Sequence, residues 1–470
     1  MMSEHLSALD AGFLEAEDSD QHASLAIGAV AVLEGPAPDT DTFISTIGAR
    51  VQRIPRCTQV LRCHPWDLSA PEWIHDEGFD VTRHVRRTAL PHPGDDATLF
   101  GVIADVMERR LDRGRPLWEC WLIDGLTDGR WALVIKVHHS VADGIAASTM
   151  LATMCDDADP DDVAHSLVCT EPAKQAGGWR LPDLNPISLA TGAWHMSLGT
   201  AQTALRIVAG ATEIAAGILS PAAQDMTGTL TDRRRFSAAR VSLTDVRAIC
   251  KRFDVTINDV ALAAITDSFR EAMVRRDQPI RSNSLRTLVP VSVRKATDLH
   301  TPDNQVSVML PLLPVEQVDP LQRLQTVHSR LTKSKSGGQS KAASIAVAVS
   351  NSIPFPLTAW AVRLLTRLPQ RGVVTVATNV PGPRRRIKVM GRTVLSLLPV
   401  PPIAIHLRLG IAITSYADEL TFGVLGDFDA SVTPDEIAKG IEDGIQRLVA
   451  VTSACKKTRR MRNQLSLLSS

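Results

Sequence analysis

His138 and His139 stand side by side, with Asp143 and Gly144 close behind, at the end of the run Trp131-Ala-Leu-Val-Ile-Lys-Val. An imidazole titrates near pH about 6.5, so one held in place can take a proton from an alcohol at neutral pH and return it to a leaving group. One histidine suffices for that work. Neighbouring side chains of an extended chain point to opposite faces, so one of the pair is expected to address a site and the other to be buried or structural. Asp143 is suited to fixing a turn or an arginine, with Arg294 one partner available. A core histidine pair followed by an Asp-Gly turn fits the same residues, and the dipeptide alone does not separate the two readings. Zinc would need a third nearby ligand, and neither H-E-x-x-H nor paired C-x-x-C accompanies the segment, so no metal is expected. The sequence also lacks G-x-S-x-G, G-x-G-x-x-G and a P-loop, which removes an acyl-enzyme serine and the usual nucleotide cofactors. A base without a nucleophile suits direct transfer between two substrates bound together.

The residues before the histidines are apolar and β-branched with smaller or polar ones between, the pattern of a half-buried strand. Residues 1–155 read as a mixed α/β unit: a helix over 7–15 capped by Ser7 with Asp10, a strand over 25–33, helices around 40–53 and 96–112, and the histidine strand. The acidic stretch from Asp156 to Asp162 marks a boundary, and 156–233 reads as a linker and crossover helical region. A second unit is expected over 234–455, with a strand at 236–241 and a capping signal at Ser242. Thr256-Ile-Asn258-Asp259 opens a further helix, and strands are expected at 285–293, 304–313, 373–380, 408–415 and 420–427. Thr433-Pro434-Asp435-Glu436 starts the last helix, with Thr433 as cap and Glu436 closing a capping box. The tail, 456–470, is basic.

His138-His139-Ser-Val-Ala-Asp143-Gly144 resembles the H-H-x-x-x-D-G signature of the bacterial wax ester synthase/diacylglycerol acyltransferase family. Further segments match in order: Leu6-Ser-Ala-Leu-Asp10-Ala-Gly-Phe-Leu-Glu15 at the start, Pro116-Leu117-Trp118 before the histidines and Asn258-Asp259 after them. Thr378-Asn379-Val380-Pro381-Gly382-Pro383 and Ser415-Tyr-Ala-Asp-Glu-Leu-Thr-Phe-Gly423 follow in the C-terminal half. The histidine signature is shared with peptide-synthesising condensation domains, whereas the P-L-W and N-D pair points to the lipid enzymes. The resemblance implies an α/β fold of two chloramphenicol-acetyltransferase-like domains with the site in a tunnel between them. It implies acyl transfer from acyl-CoA, as co-substrate and with no cofactor, to diacylglycerol or a fatty alcohol. It makes His139 the general base, with His138 the lesser candidate and Asp143 structural. A Gly144 amide near the oxyanion is a further role, since no Cβ blocks approach there. Asn258 is assigned to substrate or oxyanion, although its segment also has a complete helix-start explanation. Asp259 complements the helix dipole, Pro116, Leu117 and Trp118 pack beside the acyl tunnel or in the core, and Asn379 lines the domain interface or serves a turn. A carrier-protein donor and a lipid-binding relative without turnover are the competing readings.

The 470 residues suffice for two cores, and 51 basic against 51 acidic residues leave no overall field for nucleic acid. Seven unclustered cysteines and a start without a signal-peptide pattern suit a reduced, cytoplasmic setting. The stretch 342–362 is uncharged but broken by Pro354 and Pro356, with Lys333, Lys335 and Lys341 before it and Arg363, Arg367 and Arg371 after it. That layout fits a peripheral segment on an anionic membrane or lipid-droplet surface, and equally a core helix with solvated ends.

Overall fold

The computed structural model describes residues 4–63, 69–141, 150, 153–156, 226–282, 285–292, 306–336, 372–404 and 406–468. Asp143, Gly144, Arg294, most of 156–233 and the stretch 342–362 lie outside these. The chain opens with strand β1 (Glu4–His5), helix α1 (Ala8–Asp18), β2 (Ala26–Leu33), α2 (Thr40–Val51), β3 (Gln59–Arg62), β4 (Glu72–His75), β5 (Val85–Ala89), α3 (Asp96–Glu108), β6 (Trp118–Asp124) and β7 (Trp131–His138). Three oxygen-bearing residues begin these helices by accepting a first-turn amide: Ser7 from Asp10, Asp39 from Thr42 and Asp95 from Thr98. The expected Ser7 cap is therefore present.

β7 is buried along all eight residues, not half-buried, because β2 and β6 flank it and both its faces are covered. Even Lys136 is enclosed; its ammonium donates to the Val106 carbonyl at 2.7 Å and to that of Arg109, at the end of α3. Cations suit that position because unpaired carbonyls and the negative end of the helix dipole converge there. Burial lowers the Lys136 pKa to about 8 against the opposing pull of Glu119 and Glu17.

After 226 the order is β8 (Arg234–Ser242), α4 (Leu243–Phe253), α5 (Ile257–Arg275), β9 (Thr287–Ser292), β10 (Val306–Met309), α6 (Pro320–Ser336), β11 (Thr375–Pro381), β12 (Lys388–Val389), β13 (Arg392–Val400), β14 (Leu409–Tyr416), β15 (Glu419–Asp427) and α7 (Pro434–Leu468). Ser242 caps α4, and Thr256 with Asp259 forms a complete capping box on α5. α7 starts at Pro434 as expected, the Thr433 hydroxyl accepts the Glu436 amide at 3.3 Å, and the Glu436 carboxylate is also held by Arg276.

Two six-stranded sheets result, ordered β12-β13-β2-β7-β6-β5 and β10-β9-β11-β14-β15-β8. A boundary at 234 does not separate them, because β12 and β13 come from within 234–455 and complete the first sheet. β13 runs antiparallel to β2 with Leu397 opposite Ala31, and Val394, Leu397, Leu398 and Val400 enter the first core. Without it β2 would present a bare hydrogen-bonding edge. The turn before β13 places Met390 and Gly391 at positive φ, and the Asp156 carboxylate accepts both of their amides, at 2.9 and 2.6 Å.

Several side chains tie the sheets together. Phe100 of α3 meets Phe236 of β8 edge-on at 5.4 Å, and the Arg240 guanidinium donates to Asp96 at 2.6 Å. Tyr416, the single tyrosine, donates from its hydroxyl to the Val394 carbonyl at 2.8 Å and accepts the Ile387 amide at 3.0 Å, linking β14 to the β12–β13 hairpin.

Candidate active site

β7 ends at His138, where regular pairing gives way to a turn closed by the Val141 amide on the His138 carbonyl at 2.9 Å. The His138 amide donates to Leu117 at 3.0 Å and the His139 amide to Leu25 at 2.9 Å. Both backbones flanking β7 thus hold the pair. The expected division onto opposite faces takes a different form. Because the strand stops at His138, both imidazoles meet the same helix, α1, one turn apart.

His138 is shut in, with 1 % of its surface exposed. Its Nδ1 accepts the Ser140 amide at 3.1 Å and lies 2.7 Å from the Ser140 hydroxyl. A ring nitrogen that accepts an N–H carries no proton, so the neutral ring holds its proton on Nε2. That atom points its N–H toward the Glu17 carboxylate from 3.6 Å, longer than a normal hydrogen bond. Glu17 is as deeply buried as His138, accepting the Leu25 amide at 3.0 Å and Arg113 at 3.0 Å. Burial pushes its pKa up, but His138, the Leu25 amide and Arg113 outweigh it and hold the carboxyl down at about 2.

A carboxyl depressed from 4.5 to about 2 stabilises the fold above pH about 4.5, and that contribution is lost as pH falls through about 2. Its size is on the order of 3 kcal/mol. Denaturant unfolding of wild type and Glu17→Gln is expected to differ most above pH about 4.5 and to converge toward pH about 2. A gap constant over that window would contradict the ionised, buried carboxylate.

His139 is half-buried, its ring 4.3 Å from that of Phe13 and tilted by 31°. Of the two imidazoles it is the more exposed. Pro116, Leu117 and Trp118 are buried, and Leu117 and Trp118 lie beside the end of β7. Leu117 supplies the carbonyl that fixes His138, while the Trp118 indole donates to Cys57 at 2.8 Å and stacks on His84 at 4.6 Å. Trp118 thus sits in the core of the first unit. Asp143 and Gly144 fall just beyond the described turn.

The remaining sequence candidates belong to the second sheet's side. Asn258 is half-buried in the first turn of α5. The Asp259 carboxylate accepts the Thr256 amide and hydroxyl at 2.8 and 2.9 Å and contacts His328 of α6 at 2.8 Å. It is engaged in starting α5 and joining it to α6. Asn379 lies within β11, opposite Ile413, and the turn comes afterwards, where the Gly382 amide donates to Ser415 at 3.3 Å. Glu17 and Arg113 escaped the sequence reading, and Phe13 was quoted only within the opening segment. Among the described residues no group of three His, Cys, Asp or Glu side chains is placed to hold a metal ion.

The profile of the wax ester synthase/diacylglycerol acyltransferase catalytic domain matches residues 6–261, and that of the corresponding C-terminal domain matches 303–449. The chain belongs to the wax ester synthase/diacylglycerol acyltransferase family. It is 54 % identical over 468 residues to a probable diacylglycerol O-acyltransferase of Mycobacterium tuberculosis, covering 99 % of each chain. Its fold resembles the wax ester synthase/diacylglycerol acyltransferase of Marinobacter aquaeolei VT8, with 26 % identity, TM-score 0.66 and coverage of 96 and 100 %. A condensation domain of the calcium-dependent antibiotic synthetase shares the fold at 14 % identity and TM-score 0.61, over 96 % of each chain. In this family member the catalytic-domain match runs past 155 to take in β8 and α4. Among the described residues no helix is long and apolar enough to cross a membrane.

Proposed function

We propose that this acyltransferase moves a fatty acyl group from acyl-CoA to the hydroxyl of diacylglycerol, and to long-chain alcohols, by direct transfer with His139 as general base. The observation that carries this is the contrast within the histidine pair. His138 is shut away from solvent, whereas His139 stands part-exposed at the strand end with its ring against Phe13. The alcohol oxygen attacks the thioester carbonyl as its proton passes to His139. Collapse of the tetrahedral intermediate breaks the C–S bond, and the imidazolium returns the proton to the CoA thiolate. Holding both substrates makes the attack effectively unimolecular. The Gly144 amide and Asn258 are proposed at the oxyanion or substrate, Asp143 as a structural group of the histidine loop, and Asn379 at the interface of the two units, where the acyl tunnel is proposed. The name of the mycobacterial relative supports diacylglycerol as the acceptor. Such acceptors are dissolved in lipid, which supports a reaction at a membrane or droplet surface on the cytoplasmic side.

The test is CoA release from palmitoyl-CoA by the full chain, offered dioleoylglycerol, hexadecanol or neither. Acceptor-dependent release is expected, with the faster acceptor naming the principal product. Release from a carrier-protein thioester but not from palmitoyl-CoA would transfer the assignment to carrier-dependent chemistry. Lipid binding without release from either donor would leave a lipid-binding protein.

A further inference from the structure

Glu17 is an ionised carboxylate buried next to a histidine that is itself cut off from solvent. Ionisation stabilises the fold relative to the protonated carboxyl, but burying a charge is costly, so the pair as a whole is weak evidence of net stabilisation. Its neighbours suggest what it does instead. Glu17 Oε1 accepts the Leu25 amide at 3.0 Å, and the Leu25 carbonyl accepts the His139 amide at 2.9 Å. On its other side, Glu17 Oε2 faces His138 Nε2, and His138 Nδ1 accepts the Ser140 amide just beyond His139. One carboxylate therefore braces the backbone on both sides of His139. One turn earlier on the same helix, Phe13 touches the His139 ring.

The helix presenting these two residues is itself clamped from behind. Arg113 donates to Asp18 at 2.7 Å, to the Leu14 carbonyl at 3.2 Å and to Glu17, while Arg110 donates to the Ala23 carbonyl at 2.9 Å and to those of Glu17 and Asp20. Both arginines lie in the segment that leads from α3 to Leu117, whose carbonyl holds the His138 amide.

We propose that α1 is the positioning element of the acyl-transfer centre, with Glu17 acting on His139 through His138 and Leu25, and Phe13 acting by direct ring contact. The proposal rests on His139 being the base. Facing Glu17, His138 keeps its proton on Nε2, so Nδ1 stays open to the Ser140 amide and the turn carrying His139 keeps its shape. With the proton on Nδ1 the Ser140 amide would lose its acceptor. Neither residue takes part in proton transfer to substrate; both set where the base stands.

Glu17→Gln keeps an acceptor for Leu25 but removes the charge, and Phe13→Leu keeps apolar bulk but removes the ring. Each is expected to lower kcat by roughly tenfold to a hundredfold, the penalty of a misplaced reacting group, with KM for palmitoyl-CoA within about twofold. His139→Ala is run beside them. If both variants keep wild-type kcat while His139→Ala is inactive, the positioning role fails and the base assignment survives. If kcat falls only in step with a rise in KM, α1 shapes binding and the proposal is overturned. Substantial activity in His139→Ala would sink the base assignment and this proposal with it. Should Glu17→Gln not fold, Phe13→Leu decides by the same split.

Discussion

Replacing His139 with alanine is expected to lower acceptor-dependent CoA release by roughly a hundredfold to ten-thousandfold, the usual worth of a positioned acid–base group. Palmitoyl-CoA binding should survive, because the change removes a proton carrier and leaves the buried scaffold of β7 in place. The loss belongs in kcat, since proton transfer contributes only as the hydroxyl attacks. His138→Ala should behave differently. It strips a buried ring from between Glu17 and Ser140, leaving a carboxylate facing a void and an amide without its acceptor. Unfolding free energy is expected to fall by about 1–3 kcal/mol or more, with activity declining as a consequence of the displaced turn. Equal turnover by His139→Ala and wild type, measured as CoA released per enzyme, would remove His139 from the chemistry. A folded, inactive His138→Ala beside an active His139→Ala would exchange their roles.

What could be read along the chain was whatever is decided locally. The apolar run ending in two histidines, the caps at Ser7, Ser242 and Thr256 and the strands later found as β11, β14 and β15 are signalled within a few residues of where they act. The site's supports are not local. Glu17 and His138 lie more than a hundred positions apart, and nothing in Leu14-Glu15-Ala16-Glu17 distinguishes a buried carboxylate from a solvated one. β13 was missed although Thr393-Val-Leu-Ser-Leu-Leu-Pro-Val is strand-like, because its partner β2 belongs to the other end of the chain. Gly391 was the one local hint of a turn, but a methionine before it is not a usual hairpin signal, although both residues adopt positive φ. The burial of Lys136 was equally hidden: a lysine in a strand reads as an exposed position until the end of α3 arrives to receive it.

Gly423→Ala is expected to be the most damaging single-methyl change in the second sheet. A Cβ built on Gly423 would lie 1.6 Å from the Pro399 carbonyl oxygen, and on Gly410 one would lie 2.8 Å from that of Pro402. These contacts are with backbone, so no rotamer change relieves them. The backbones cannot easily yield either. Pro399 is paired with Ala29 of β2, and Gly423 is paired on one side with Ala412 and on the other with Ala238. Small residues on three adjacent strands thus admit β13 against the face of the second sheet, and inserting a methyl group there must part the two sheets or break a ladder. The expected cost is about 3 kcal/mol or more, at the upper end for overpacking. The same closeness sets the separation of the two units between which the acyl tunnel is proposed, so turnover should fall further than the folded fraction does. Gly101→Ala is the matched control: it lies mid-helix in α3, a Cβ there meets nothing within 4 Å, and the change should be neutral or stabilising by up to about 1 kcal/mol. Urea unfolding of both variants checks the argument. If Gly423→Ala unfolds at the same midpoint as Gly101→Ala, the sheets do not meet backbone to backbone, and their spacing must be held by side chains such as Tyr416, Phe100 and Phe236 instead.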